Sequence, residues 1–519
     1  MNQSMGINNT ADIHGDIQGS IVAVTTIAVL VFAVILQLYT RFKPHAVDKS
    51  LPGPKRHPLI GILKFMLEYG DRMYMADLEF CAKYQSTWGG PVPKLGAMSG
   101  SYFVISDEKN MEHVLGSNFD NYEKSDLVQS VFSELLGNGI FVVDGPTWYH
   151  HRKIASRMFS TNLVREGSKV TLKKVQELSA LLNAASSTGK EIDIQDFFFR
   201  MTFDITCVVS FGVEYGSLQS ETQHPFALAF DEMQELMVER LGDPLFELKR
   251  FFNVGPREKR IRELKVILDE NAKEIIQGRR RTAKDGTLGP DILSRFMDYA
   301  TNQNDPISDE ELRDIILNFL VAGRDTTAVA LSWALFELCK HPEIVANMLE
   351  EANEICGRID GDNDGDYSFD TIQKLKYIDA VVMEVLRLHP SVPKQSKYAV
   401  DDDILPDGTF IPNGAMVSYT ALAMGRSIRA WGSDAGEFKP TRFFQQREPS
   451  VFRNIVFNAG KRMCLGKPMA INTLKLALAY LVQRFEFKDI QGHDGTLIPF
   501  PLISKMKGGF PIQVAGRET

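Results

Sequence analysis

Three apolar blocks stand out along the chain, and the residues at their edges show where each one stops. From Ser20 to Tyr39, twenty consecutive residues carry no charged side chain and are rich in Val, Ile, Leu and Ala, enough for a helix to cross a hydrocarbon layer of about 30 Å. The second block opens on Ser308-Asp-Glu-Glu311, a capping box with Ser at the N-cap and Glu three residues on. Helix-forming, apolar residues then continue to Lys340, where His341-Pro342 ends them. This predicts a helix of about 32 residues, far beyond the usual ~11–12. The third block, Lys467 to Arg484, predicts a helix beginning just after Gly466. A shorter, largely apolar helix is predicted over 378–388, closed by His389-Pro390.

The flanks of the first block set it apart. Asp12 and Asp16 precede it without any Lys or Arg, whereas Arg41, Lys43 and Lys49 follow it. The positive-inside rule places residues 1–19 as a lumenal tail, 20–40 as a transmembrane anchor, and the body of the chain in the cytosol. A cleaved signal peptide would carry its positive charge before the block and a small-residue cleavage site after it. The expectation is therefore a retained, single-pass anchor, with the endoplasmic reticulum as its membrane. Residues 41–58 read as a basic, proline-rich linker, because Leu51-Pro-Gly-Pro-Lys-Arg-His-Pro58 cannot continue a helix. Residues 59–519 remain as the main domain. Acidic residues outnumber basic ones 66 to 58, and with no arginine-rich tract nucleic-acid binding has little support.

The second block contains its own weak point, Ala322-Gly-Arg-Asp-Thr-Thr327. Glycine inside a helix costs roughly 1 kcal/mol against alanine, and Asp and Thr prefer to bond the backbone elsewhere. A solvent-exposed polar face with a chance glycine is one reading. The other is a local opening where Asp325 and Thr326 handle protons.

Of the five cysteines, Cys81, Cys207, Cys339 and Cys356 read as buried and inert. The odd total and the lack of metal-finger spacing signal neither a zinc site nor a disulfide framework. Cys464 differs, standing in Phe457-Asn-Ala-Gly-Lys-Arg-Met-Cys-Leu-Gly466. Gly460 and Gly466 allow a tight loop around the sulfur through positive φ. Arg462 adds fixed charge, and the following helix turns its N-terminus towards an anion.

The pattern Phe-x-x-Gly-x-Arg-x-Cys-x-Gly is the haem signature of the cytochrome P450 family, which this chain resembles from the anchor to the late Met506-Lys-Gly-Gly-Phe-Pro511 turn. The resemblance implies a mainly α fold with a small β-sheet region and haem b (iron protoporphyrin IX) between the long helix and the cysteine loop. Cys464 would ligate the iron, and Arg462 would reach a cofactor carboxylate. Asp325 and Thr326 match the family's acid–threonine pair, at which the helix opens beside the haem. Glu384-Val-Leu-Arg387 and Arg442 resemble the structural triad that fixes the haem loop. Trp148 and Arg152, four apart on a helix, would border a propionate. Lys397 stands where most members have arginine, keeping the charge but losing bidentate geometry.

Three segments sharpen the likeness towards plant and fungal fatty-acid ω-hydroxylases: Ala322–Thr327, Leu388-His-Pro-Ser-Val-Pro393 with Lys397, and Leu405-Pro-Asp-Gly-Thr-Phe410. The implied activity is a monooxygenase of microsomal type that inserts one oxygen atom of O2 into a C–H bond of a lipophilic substrate. NADPH–cytochrome P450 reductase, with cytochrome b5 as a second donor, would supply electrons to an enzyme held at a lipid bilayer. Arg152, Lys153, Lys461 and Lys467 would suit an acidic redox partner. Sterol or terpenoid oxidation, peroxide isomerisation and haem sensing are the alternatives; the acid–threonine pair counts against the last two. Pocket walls are expected, by analogy, from 121–141 and 500–503. Asp360-Gly-Asp-Asn-Asp-Gly-Asp366 matches half of a calcium loop, but position 12 is Thr371 rather than a chelating Glu. It reads as an acidic surface turn.

Overall fold

The computed structural model describes residues 47–517 apart from 96–97, 244, 285–288, 303–306, 361–363, 446–448 and 500–501, together with isolated positions between Val29 and His45. The predicted tail 1–19 lies outside the described residues, as does most of the anchor. Val29, Val31, Phe32 and Leu36 are described; they are helical and exposed.

Most of the chain is helical, as expected, and two helices form the centre. The third apolar block forms its helix over Lys467–Arg484, as predicted, with Gly466 at the N-cap and a proline in the first turn. From Asn472 to Gln483 every residue is buried, the condition under which a helix is apolar all round. The second block spans Asp309–Leu338, and the capping box forms: Ser308 Oγ accepts from Glu311 N at 3.1 Å, and Glu311 accepts from Ser308 N at 2.9 Å. This central helix is the one helix among the described residues long and apolar enough to cross a membrane. Its second half, Thr327–Leu338, is buried instead in the main core with the Cys464 and Glu384 helices.

The central helix is interrupted where its sequence weakens. Val321–Asp325 forms a π-helical turn, the wide-turn device often found at functional sites. Gly323 has a packing cause as well: a Cβ there would meet Thr206 Oγ1 at 2.8 Å, on the neighbouring Ile194–Phe211 helix. The reading of this segment as a solvent-exposed polar face does not hold, because Arg324 and Asp325 are buried.

The described strands form three small sheets. β1 (Trp88–Leu95), β2 (Met98–Ile105), β3 (Tyr122–Glu123), β5 (Lys394–Ala399) and β8 (Met416–Thr420) form a sheet in the order β1-β2-β8-β5-β3. β2 and β8 run parallel, with Tyr102 opposite Met416 and Ile105 opposite Tyr419; the other pairs are antiparallel. β4 (Ile192–Asp193), β9 (Phe485–Asp489) and β10 (Pro511–Gly516) make a second sheet, and β6 (Asp403–Ile404) pairs with β7 (Phe410–Ile411). The proline-rich segment is docked on β1: Gly89 N donates to Pro52 O at 3.0 Å, and Arg56 donates to Leu51 O at 2.6 Å.

Candidate functional site

The cysteine loop is held from both ends. Cys464 N donates to Phe457 O at 2.8 Å. Gly460 has φ +60°, and a Cβ there would stand 1.9 Å from Leu115 O, so this position admits only glycine. Gly466 does not need that freedom; its φ is −80°. The Cys464 thiol is exposed although protein atoms crowd its surroundings. That crowding pushes its pKa up, while backbone N–H groups of Gly466 and Lys467 and the Arg152 charge pull the other way. These donors are aimed at the sulfur, as the helix N-terminus predicts. The remaining cysteines behave as expected. Cys81, Cys207 and Cys356 are buried and Cys339 half-buried, and burial raises every one of their thiol pKa values.

Lys397, Lys461 and Arg462 lie within 6 Å of the Phe119 ring. Arg462 lies 4.2 Å above the buried Trp148 ring, pairs with Asp144, and donates to Val143 O at 3.3 Å. Lys397 is 2% exposed, and its Nζ has no acceptor. Burial, then the Arg462 charge, draws its pKa down to about 7. Lys124 donates to Phe141 O and is likewise held well below the usual ammonium range by burial, then by Arg462 and Lys397. Asp144 and Glu123 are the carboxylates facing this group. Among the described residues, Arg462, Lys397 and Lys124 face two carboxylates, and with Lys397 Nζ and Arg462 Nε buried and without a hydrogen-bond partner the site is short of anions. A haem fits: Cys464 offers a thiolate for iron, and the cations suit its two propionates. Arg152, half-buried, has no carboxylate partner among the described residues and senses the Cys464 sulfur.

Sequence reasoning missed Lys124 and Asp144. Each is an isolated charge whose meaning comes only from where the chain crosses itself. If Lys397 serves a propionate, Lys397→Met should speed haem loss to a scavenger protein by about ten- to a hundred-fold, the worth of a charged hydrogen bond of about 1.5–3 kcal/mol. Unchanged retention would remove it from the site.

The triad assembles completely. Glu384 and Arg387, both fully buried, meet through Nε–Oε2 and Nη2–Oε1 contacts of 2.7 Å each. Arg442 Nε reaches Glu384 Oε1 at 3.1 Å, and Lys439 N reaches the same oxygen at 2.8 Å. Arg387 also donates to the carbonyls of Gly425, Ala435 and Glu437.

Asp325 and Thr326 stand at the end of the π turn. Thr326 Oγ1 donates to Ala322 O at 2.7 Å, satisfying a carbonyl beside the wide turn. Asp325 is buried, accepts from Gln234 Nε2 at 2.9 Å, and lies 3.0 Å from Arg324 Nη1. Burial raises its pKa to about 6 against the lowering pull of Arg324. Phe159 ties this helix to the cysteine loop, lying 3.9 Å from where a Gly466 Cβ would be and stacking on Phe319 at 5.9 Å.

Of the predicted pocket walls, Asp126–Leu136 is helical, while Phe500 and Pro501 lie outside the described residues. In the acidic turn, Asp366 accepts from Ser368 N and Thr371 Oγ1, and Asp364 pairs with Arg484 at 2.9 Å. Those carboxylates serve the turn and the next helix; residues 361–363 lie outside the described set.

Comparison with known proteins agrees with this geometry. The family described as cytochrome P450 matches residues 51–510. Cytochrome P450 704B1 of Arabidopsis thaliana is 33% identical over 512 residues, covering 91% of this chain and 96% of its own. Cytochrome P450 94A1 of Vicia sativa is 31% identical over 491 residues, covering 90% and 91%. Cytochrome P450 704C1 of Pinus taeda is 34% identical over 446 residues, covering 80% and 85%. With the cysteine loop, the buried triad and the interrupted helix all in place, the chain belongs to the cytochrome P450 family and is a haem-thiolate monooxygenase of that family.

Proposed function

We propose that the protein hydroxylates a fatty acid at or near its ω end, anchored in the endoplasmic reticulum membrane with its catalytic domain in the cytosol and drawing electrons from NADPH–cytochrome P450 reductase. The observation that carries the oxygenase part is the π turn, which sets a buried carboxyl and a hydroxyl side by side in the middle of the central helix. The acyl substrate is supported by the three segments that resemble fatty-acid ω-hydroxylases, and the membrane by the uncharged Ser20–Tyr39 block.

When bound, the haem supplies reductive activation of dioxygen, with sulfur electron density favouring O–O cleavage. The chain's own part is to hold the group and to move protons. Arg462, Lys397 and Lys124 would hold the haem carboxylates by charge. Asp325, with a pKa of about 6, exchanges protons near neutral pH as a general acid should. Thr326 Oγ1 donates to Ala322 O, so its lone pairs point in a defined direction; to relay a proton, the hydroxyl accepts one on a lone pair and turns its own O–H from Ala322 O to the next acceptor.

Thr326→Ala should leave NADPH consumption running while product formed per NADPH falls roughly tenfold or more. Unchanged coupling would remove the hydroxyl from the relay. The substrate reading is tested by a fatty-acid panel with reductase and NADPH, read by product mass spectrometry. Oxidation confined to sterols or terpenoids would overturn it, and product formed from peroxides without NADPH would overturn the monooxygenase reading.

A further inference from the structure

Arg324 is a residue for which the proton relay has no evident need, yet it is among the most deeply buried side chains in the protein, at 0% exposure. Its guanidinium forks onto Asp231: Nη1 meets Oδ1, and Nη2 meets Oδ2 at 2.9 Å. The same Nη1 lies 3.0 Å from Asp325 Oδ1, and Nη2 donates to Gln223 Oε1 at 2.9 Å. Asp231 and Gln234 share the Pro225–Leu241 helix, three residues apart, and Gln234 holds the other Asp325 oxygen. The two side-chain partners of Asp325 are thus Gln234, on that second helix, and Arg324, which Asp231 on the same helix holds in turn.

We propose that Asp231 is a positioning residue for Asp325: by sharing the Arg324 guanidinium with it, Asp231 couples the seating of the Pro225–Leu241 helix to proton exchange at the central helix. This rests on the reading of Asp325 as a proton-handling group. With the helix seated, Arg324 divides its charge between two carboxylates and Asp231 adds repulsion, which outweighs the Gln234 hydrogen bond that favours the ionised form, so Asp325 takes a proton more readily. With the helix displaced, Arg324 serves Asp325 alone and holds it ionised. Other groups face the pair. Lys505, from the C-terminal hairpin, favours the ionised form. The Phe199 and Phe203 rings, 5.0 and 6.0 Å from the guanidinium, and the Cys207 thiol, raised by burial, line the Ile194–Phe211 side. Asp231 keeps about a fifth of its side chain exposed, so the buried arginine is linked to a group that solvent reaches.

The linkage has a definite sign. Because seating raises Asp325's proton affinity, protonating Asp325 must favour the seated helix.

The test is infrared titration of the haem-loaded protein, with the Asp325 carboxyl band assigned by its loss in Asp325→Asn. Asp231→Asn should move the band's midpoint down by about one pH unit, and Arg324→Gln should move it up. No titrating band lost in Asp325→Asn would sink the proton-handling reading. A band that stays put in Asp231→Asn would sink the inference and leave that reading standing. Wild-type protein gives a second arm should the variants not fold. Amides of the Pro225–Leu241 helix, corrected for intrinsic exchange, should be more protected at pH 5 than at pH 8, by up to about tenfold, the limit for a tenfold change in proton affinity. Equal protection at the two pH values would overturn the proposal.

Discussion

Replacing Cys464 with alanine should abolish the red-shifted carbon monoxide band of the reduced protein and, with it, all NADPH-dependent product. The expectation follows from how narrowly the site is built. The exposed sulfur stands at the start of the Lys467–Arg484 helix, with Gly466 and Lys467 N–H groups turned to it. The other four cysteines cannot stand in for it. Their thiols are raised by burial, Cys81 and Cys356 to about 12 and Cys339 to about 11, and each is built into packing elsewhere. The cation group and the triad do not involve the sulfur, so the variant should keep its fold and part of its hold on haem. Persistence of the band would mean that the iron takes another ligand, and the assignment of Cys464 would fall.

Glu384→Gln should be nearly as severe, through stability rather than chemistry. The carboxylate accepts from two guanidiniums and from Lys439 N, and both Glu384 and Arg387 are inaccessible to solvent. An amide leaves two buried cations without their shared anion. Breaking a buried pair from one side costs about 3–5 kcal/mol, a large part of the roughly 5–15 kcal/mol that holds a folded protein together. The variant should fail to accumulate as folded, haem-loaded protein, seen as a large fall in melting temperature and loss of absorbance from bound haem. Asp434→Asn is the comparison, because Asp434 touches Arg442 from a solvent-accessible position and screening makes such contacts weak. Equal melting temperatures for the two variants would contradict the division drawn between them.

Much of this was legible in the sequence where the signal was local. The Lys467–Arg484 helix follows from Gly466, the adjacent proline and an unbroken apolar run. The central helix starts where its capping box says it should and stops two residues short of Lys340, with Leu338 the last helical residue. Cys464 and the triad are carried by spacings of ten residues or fewer, apart from Arg442, which a proline motif marks. The glycines mislead slightly: both looked necessary for a tight loop, yet only Gly460 adopts positive φ. The π turn was foreshadowed by weak helix formers, but the close approach of Thr206 from another helix, which leaves no room for a Cβ at 323, was not. Lys124, Asp144, Asp231 and Gln234 were not legible. Each is a lone polar residue in an ordinary helix or loop, and no periodicity distinguishes it from a solvated neighbour.

The clash that a Cβ at Gly460 would make with Leu115 O has a consequence for how the protein is made. A ribosome finishes the segment containing Leu115 long before it reaches the cysteine loop. The loop can close only on a surface that has been waiting since early in synthesis, with Arg462 meeting Asp144 and Trp148 in the same movement. The sulfur and Arg462 therefore arrive only after Lys124, Trp148 and Lys397 have been made. Capture of the cofactor through the Cys464 sulfur thus waits for the nearly finished polypeptide, and shortages of haem should be felt as accumulation of full-length, ligand-free chains rather than as stalled fragments.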